Sequence, residues 1–182
     1  MLLVAALLLL QSAAPQTIDR LVAVVGNDPI FLSDVRDAMR MRLLDPSGPL
    51  APMSDLPGAT DEEKALERLI NRRLVLAEVA RYSQTPPPAA DVEAAMKDRT
   101  DRGPAVVAFV SDTLRINRYI EQRFTAAAQP TREEARAAYK GTAPFEAVED
   151  QARRQLAEER RLAMVRDWIR GLRDRAQVRV LR

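Results

Sequence analysis

The sequence predicts a mainly α-helical domain that carries a small sheet, in which an N-terminal hairpin pairs with a C-terminal strand. Three observations lead there. Strand-like segments stand near the two ends, Leu21 to Val25 and Val178 to Leu181. Most of the chain between them repeats apolar residues at three- and four-residue spacing, the period of a helix with one buried face. Two capping boxes, Thr60 with Glu63 and Thr131 with Glu134, mark helix starts within that stretch.

Met1 to Gln16 reads MLLVAALLLLQSAAPQ, apolar without interruption from Leu2 to Leu10 and then rich in small residues. The run is too short to span a bilayer comfortably and has the form of a secretory signal peptide. Residues 1–16 are therefore read as a leader and 17–182 as one domain of about 165 residues, long enough to bury a core. With the leader cleaved, no stable membrane span is expected.

Ile18 to Val25 is rich in β-branched residues, and Gly26-Asn27-Asp28-Pro29 breaks it before Ile30-Phe31-Leu32, which predicts strand, turn and short strand. Ser33 is placed to cap a helix running to about Leu44, with Val35, Met39 and Leu43 on one face. Asp45 to Thr60 holds four prolines and two glycines, a long connection read as a surface insertion gripped by Leu50, Met53 and Leu56. From Thr60 a strong helix is expected to Tyr82, burying Leu66, Leu69, Ile70, Leu74, Ala77 and Ala80. Pro86-Pro87-Pro88 ends it, and a shorter helix follows near Asp91 to Arg99.

Gly103-Pro104 restarts the helical pattern, with Val106, Val110, Leu114, Asn117, Ile120 and Phe124 at helical spacing as far as Ala126. Thr131 opens a short helix through Tyr139, which Gly141 and Pro144 terminate. The last helix is the longest, with Phe145, Val148, Ala152, Leu156, Leu162, Val165, Ile169 and Leu172 as its stripe. The period then changes to two over Gln177 to Leu181, giving the hairpin a third strand.

Several chemistries are excluded by composition. The chain has no histidine, hence no imidazole base or ligand, and no cysteine, hence no disulfide, thiolate site or lipid-anchor cysteine. No phosphate-cradling glycine loop occurs, and no cofactor is expected. Formal charge is only +2, and only Lys64, Lys97 and Lys140 among the 28 basic residues are lysine. Arg153-Arg154 with Glu158-Glu159, and Arg132 with Glu133-Glu134, read as solvated helix faces carrying i,i+4 pairs, so no nucleic-acid partner is expected. Tyr119, Tyr139 and Trp168 are dispersed through amphipathic helices and are assigned to the core.

The order of several segments resembles the SurA-like periplasmic chaperones and their parvulin-type prolyl isomerase relatives. Ile18-Asp19-Arg20-Leu21-Val22-Ala23-Val24-Val25-Gly26-Asn27 followed by Pro29-Ile30-Phe31-Leu32-Ser33-Asp34-Val35 is similar to the family's opening strand, turn and first helix. Leu66 to Asn71, Pro130 to Ala135 with Tyr139, and the tail from Phe145 through Trp168 to Leu181 are similar in the same order. The resemblance implies a helical chaperone module made of an N-terminal part, 17–140, and a closing helix and strand, 145–182. In isomerase-bearing relatives a catalytic parvulin domain lies between those parts. Here only Lys140-Gly141-Thr142-Ala143-Pro144 separates Tyr139 from Phe145, so no catalytic residue carries over.

The implied function is that of an exported, ATP-independent holdase for unfolded or extended envelope and outer-membrane polypeptides, acting in the periplasm without isomerase activity. The alternative is a non-catalytic subunit docking on one folded envelope partner. Candidate client contacts are Leu50, Met53 and Leu56 in the proline-rich connection and Phe109 on a helix flank.

Overall fold

The computed structural model describes residues 19–44, 50, 58–82 and 85–181. The leader 1–16, together with Met53 and Leu56, lies outside the described residues. The elements run β1 (Leu21–Val25), β2 (Asp28–Phe31), α1 (Leu32–Arg40), α2 (Asp61–Tyr82), α3 (Ala89–Ala95), α4 (Pro104–Ala128), α5 (Arg132–Ala138), α6 (Phe145–Arg175) and β3 (Val178–Val180). The expected mainly helical architecture is present, with an antiparallel sheet of order β2-β1-β3 that joins the N-terminal hairpin to the C-terminal strand.

The hairpin turn is tighter than expected. Only Gly26 and Asn27 form it, Gly26 at φ +61°, the left-handed value a two-residue hairpin asks of a glycine at its first central position. Asp28 and Pro29 therefore belong to β2. Pro29 opposes Val24 in a non-hydrogen-bonded pair, so its missing N–H would have pointed away from β1, on the outer edge of an edge strand. The ladder slips between Leu21 and Ala23, leaving Val22 as the extra residue of a bulge. That bulge lets consecutive Val22 and Ala23 both be buried.

Ser33 is not the cap of α1. The helix begins two residues earlier, with Phe31 at the N-cap, and Asp34 reaches back to accept the Phe31 amide at 2.9 Å. The Ser33 hydroxyl donates instead to Asp19, whose carboxylate also accepts the Ser33 amide at 3.2 Å. The Ser33 hydroxyl bond, with the amide bonds helping, holds the Asp19 carboxyl below its usual range. Helix α1 ends at Arg40 rather than near Leu44, because Arg42 turns left-handed at φ 49°. Arg99 donates to the carbonyls of Met41 (3.2 Å) and Arg42 (3.3 Å), covering acceptors a helix end leaves open.

The Thr60 capping box forms as expected, with Thr60 N–H donating to Glu63 at 2.8 Å and Glu63 N–H to Thr60 Oγ1 at 3.2 Å. The buried stripe of α2 differs: Leu69, Ile70 and Leu74 are buried, but Ala77 and Ala80 face solvent while Val75 and Val79 are inside. The main core joins these residues to Ala23, Val25, Ile30 and Val35, to Ile116, Ile120 and Phe124 of α4, and to Val165, Ile169 and Leu172 of α6. In α4 it is Ile116 that is buried, not Asn117. The front of α4 buries Val106 and Val110 in a separate cluster with Met96, next to α3, which spans Ala89–Ala95 rather than Asp91–Arg99. The stripe turns where α4 leaves that cluster for the main core.

Helix α6 is 31 residues long, about 46 Å at 1.5 Å per residue. Its second half is in the main core, whereas Phe145 is the one fully buried residue before Val165. The first half is held by α5 through ion pairs that run between helices rather than along one: Arg132 to Glu149 at 2.8 Å, Arg160 to Glu134 at 3.1 Å, and Arg136 to Glu146. The connection 140–144 is closed tightly. A Cβ on Gly141 would collide with the Tyr139 side chain, and the Tyr139 ring stands 5.9 Å from that of Phe145.

Glu134 has two roles at that corner: it accepts from Arg160 and closes the Thr131 capping box (2.8 Å and 3.1 Å). The Arg160 bond first, then the Thr131 amide, hold its carboxyl below the ordinary glutamate range. A depressed carboxylate contributes stability above its unfolded pKa and loses it as pH falls through the folded one. Amide exchange in α5 should therefore accelerate as pH is lowered below about 4, after correction for intrinsic exchange. Glu134→Gln should show loosened α5 already at neutral pH; unchanged α5 protection in that variant would contradict the assignment.

Candidate binding cleft

The start of β1 and the residues at the end of β3 meet beside the starts of α1 and α2 and line a cleft of about 620 Å³. Its apolar lining is Val22, Leu32, Val35, Leu66, Val180 and Leu181, and its polar lining is Arg20, Glu62, Glu63 and Glu67, with Gly58 and Ala59 at the α2 end. Each of these side chains is placed for a local reason. The β1 bulge turns Val22 inward, the first turn of α1 supplies Leu32 and Val35, and pairing of β3 with β1 brings in Val180 and Leu181.

The carboxylates in the lining are already engaged. Glu62 accepts from Arg36 Nε at 2.9 Å, Glu63 closes the α2 capping box, and Glu67 pairs with Arg173, which also donates to the buried Asn71 Oδ1 at 3.1 Å. Arg20 has no ion-pair partner among the described residues. Val180 and Leu181 remain 47% and 44% exposed, two of the few large apolar side chains left open to solvent among the described residues. The cleft thus presents apolar surface framed by carboxylates that are already engaged. Among the described residues no group of three or more Asp or Glu side chains is placed to hold a metal ion.

No family model matches this chain, and no curated protein matches it.

Of the candidate contacts named from sequence, Leu50 and Phe109 are among the described residues. Leu50 is half-buried and packs on the main core. Phe109 is half-buried beneath Arg72, whose guanidinium carbon stands 3.5 Å from the ring centroid and whose Nη2 donates to the Phe109 carbonyl at 2.7 Å. Neither lines the cleft. Sequence reasoning missed Val180 and Leu181 as site residues, although the period-two pattern over 177–181 contained them. What it lacked was the neighbour: Leu32 and Leu66 approach them only after the sheet has closed.

A second surface lies at the far end of α2. Tyr82, Tyr119, Trp168 and Phe124 stack in succession with centroid separations of 5.7, 5.5 and 5.5 Å. Arg123 covers the inner three rings and donates to the Tyr119 hydroxyl at 2.9 Å. Burial, opposed by Arg123, raises the Tyr119 phenol above its ordinary value. Trp168 and Tyr119 pack against the core as assigned, and Tyr82, 65% exposed, carries the stack to the surface. Tyr139 lies apart from it, at the α5–α6 corner.

Proposed function

We propose that this chain is an ATP-independent holdase of the SurA-like type, exported to the periplasm, which binds unfolded envelope or outer-membrane polypeptides and has no isomerase activity. The observation that carries the reading is the cleft: exposed Val180 and Leu181 lie over an apolar lining whose carboxylates are engaged. Such a surface suits many weak contacts to an extended chain better than one tight ligand. The short α5–α6 connection supports the non-catalytic part, because five residues, Lys140 to Pro144, stand where the relatives carry their catalyst. Among the described residues no helix is long and apolar enough to cross a membrane, which leaves the proposed site of action resting on the leader.

The test is light scattering of a denatured outer-membrane protein diluted into buffer with and without the purified chain. Suppression of aggregation is expected near stoichiometric amounts, and Leu181→Asp, a change at an exposed side chain, should weaken it several-fold. Absence of suppression at excess would overturn the proposal. Proline isomerisation in a model peptide should proceed at its uncatalysed rate.

The exposed Tyr82 end of the aromatic stack favours a second reading, a subunit docking on one folded partner, since rigid aromatic anchors dominate such interfaces. Affinity capture separates the two. A single stoichiometric folded protein lost on Tyr82→Ala supports the subunit, and a spread of unfolded clients indifferent to Tyr82 supports the holdase.

A further inference from the structure

The two edges of the sheet are treated differently. In the antiparallel ladder, Val24 opposes Arg179, and the Gly26 amide donates to the Gln177 carbonyl at 2.8 Å, as does Leu181 to Val22 at 2.9 Å. Residues 177, 179 and 181 therefore spend their backbone groups on β1, and the N–H and C=O of Val178 and Val180 point away from it. On the opposite edge the corresponding outward position of β2 is Pro29, which has no N–H to offer. One edge is blocked by its sequence, and the other, unpaired among the described residues, presents two donors and two acceptors beside the cleft.

The side chains add a charge pattern. Val178 and Val180 share the inner face with Val25 and Ala23, while Arg179 stands on the outer face with Val24. Arg179 is exposed and, like Arg20 in the cleft lining, has no ion-pair partner among the described residues.

We propose that the free edge of β3 adds a guest strand: an extended segment whose backbone pairs with Val178 and Val180, with apolar side chains on the cleft face alternating with acidic ones beside Arg179. The proposal rests on the polypeptide-binding reading above and specifies how the segment is held. Backbone pairing supplies affinity without sequence, and the alternation selects among segments. A second copy of this chain fits the edge poorly. The register that uses both free residues on each side sets Arg179 against Arg179, and like charges directly opposite are destabilising.

The experiment is amide exchange at Val178 and Val180, read by NMR on the full chain with a short peptide alternating valine and glutamate. Both amides should slow on peptide addition. A peptide alternating valine and lysine should bind about ten-fold more weakly, as should a valine–glutamate peptide N-methylated at alternate residues, which removes ladder bonds without altering the protein. Val180→Pro deletes the outward N–H and leaves the Leu181 to Val22 bond available, so it should abolish the effect. Unchanged exchange at saturating peptide would overturn the proposal, as would equal binding of the N-methylated peptide, or a dimer in sedimentation that protects the same amides without peptide. The two readings fail separately. Val180→Pro with full aggregation suppression sinks strand addition alone, and peptide-protected amides without any suppression sink the holdase alone.

Discussion

Replacing Ile169 with alanine should lower the unfolding free energy by about 2–5 kcal/mol, while Leu156→Ala, on the same helix, should cost under about 1.5 kcal/mol. Ile169 is 0% exposed and lies in the cluster with Ile70, Val75 and Ile120, where α6 meets the rest of the core. Removing three methyl or methylene carbons there forfeits their transfer free energy and leaves a cavity whose walls belong to different helices and cannot all close on it. Leu156 is half-buried in the stretch of α6 that α5 covers mainly through exposed ion pairs. Exposed pairs contribute little each, so the two halves of one continuous helix differ in how firmly they are held. Urea unfolding of both variants checks the magnitudes. Amide exchange should show residues 146–160 opening at lower free energy than 165–175, and equal protection of the two halves would contradict this account.

Arg72→Ala should cost about 2–4 kcal/mol, and Arg72→Met clearly less. Arg72 is 6% exposed, and its fork donates to Thr113 Oγ1 at 2.9 Å and to the Phe109 carbonyl at 2.7 Å while lying on the Phe109 ring. Burial lowers its pKa to about 10, the nearby Arg73 adding to the effect and Asp112 opposing it, so at neutral pH it remains charged inside the protein. Alanine removes the bonds, the ring contact and the side-chain volume together. Methionine keeps most of the volume and escapes the desolvation cost of the charge, and the Phe109 carbonyl still accepts from the Thr113 hydroxyl at 2.9 Å. Lysine should rescue poorly, because an ammonium cannot serve both acceptors and the ring from one plane. Denaturant midpoints for the three variants give the ranking, and methionine proving worse than alanine would refute it.

Local chemistry explains which parts of this fold could be read in the sequence. The starts of α2 and α5 were legible because Thr60 with Glu63, and Thr131 with Glu134, satisfy each other within one turn. Ser33 misled because its hydroxyl is claimed by Asp19, fourteen residues away, and no local pattern announces such a partner. Ala77 and Ala80 continued a helical spacing, yet α2 packs against the sheet, α1, α4 and α6 at once. Its inner surface is consequently wider than one stripe, and the larger Val75 and Val79 occupy it. Asn117 failed for a related reason, since α4 changes neighbours between Val110 and Ile116. The cleft was the least legible feature. Its walls come from β1, from the residues at the end of β3 and from two helix starts, so the pairing of β1 with β3 could be anticipated from alternation but not the space beside it.

That pairing also fixes how the fold answers to load. Val22 faces Leu181 at one end of the β1–β3 ladder, and Gly26 faces Gln177 at the other. A pull between Leu21 and Leu181 therefore acts on the same end of the two strands, and opens their bonds in succession like a zipper instead of shearing them at once. Under tension between Leu21 and Leu181, the pairing that joins the hairpin to β3 is a seam that opens bond by bond.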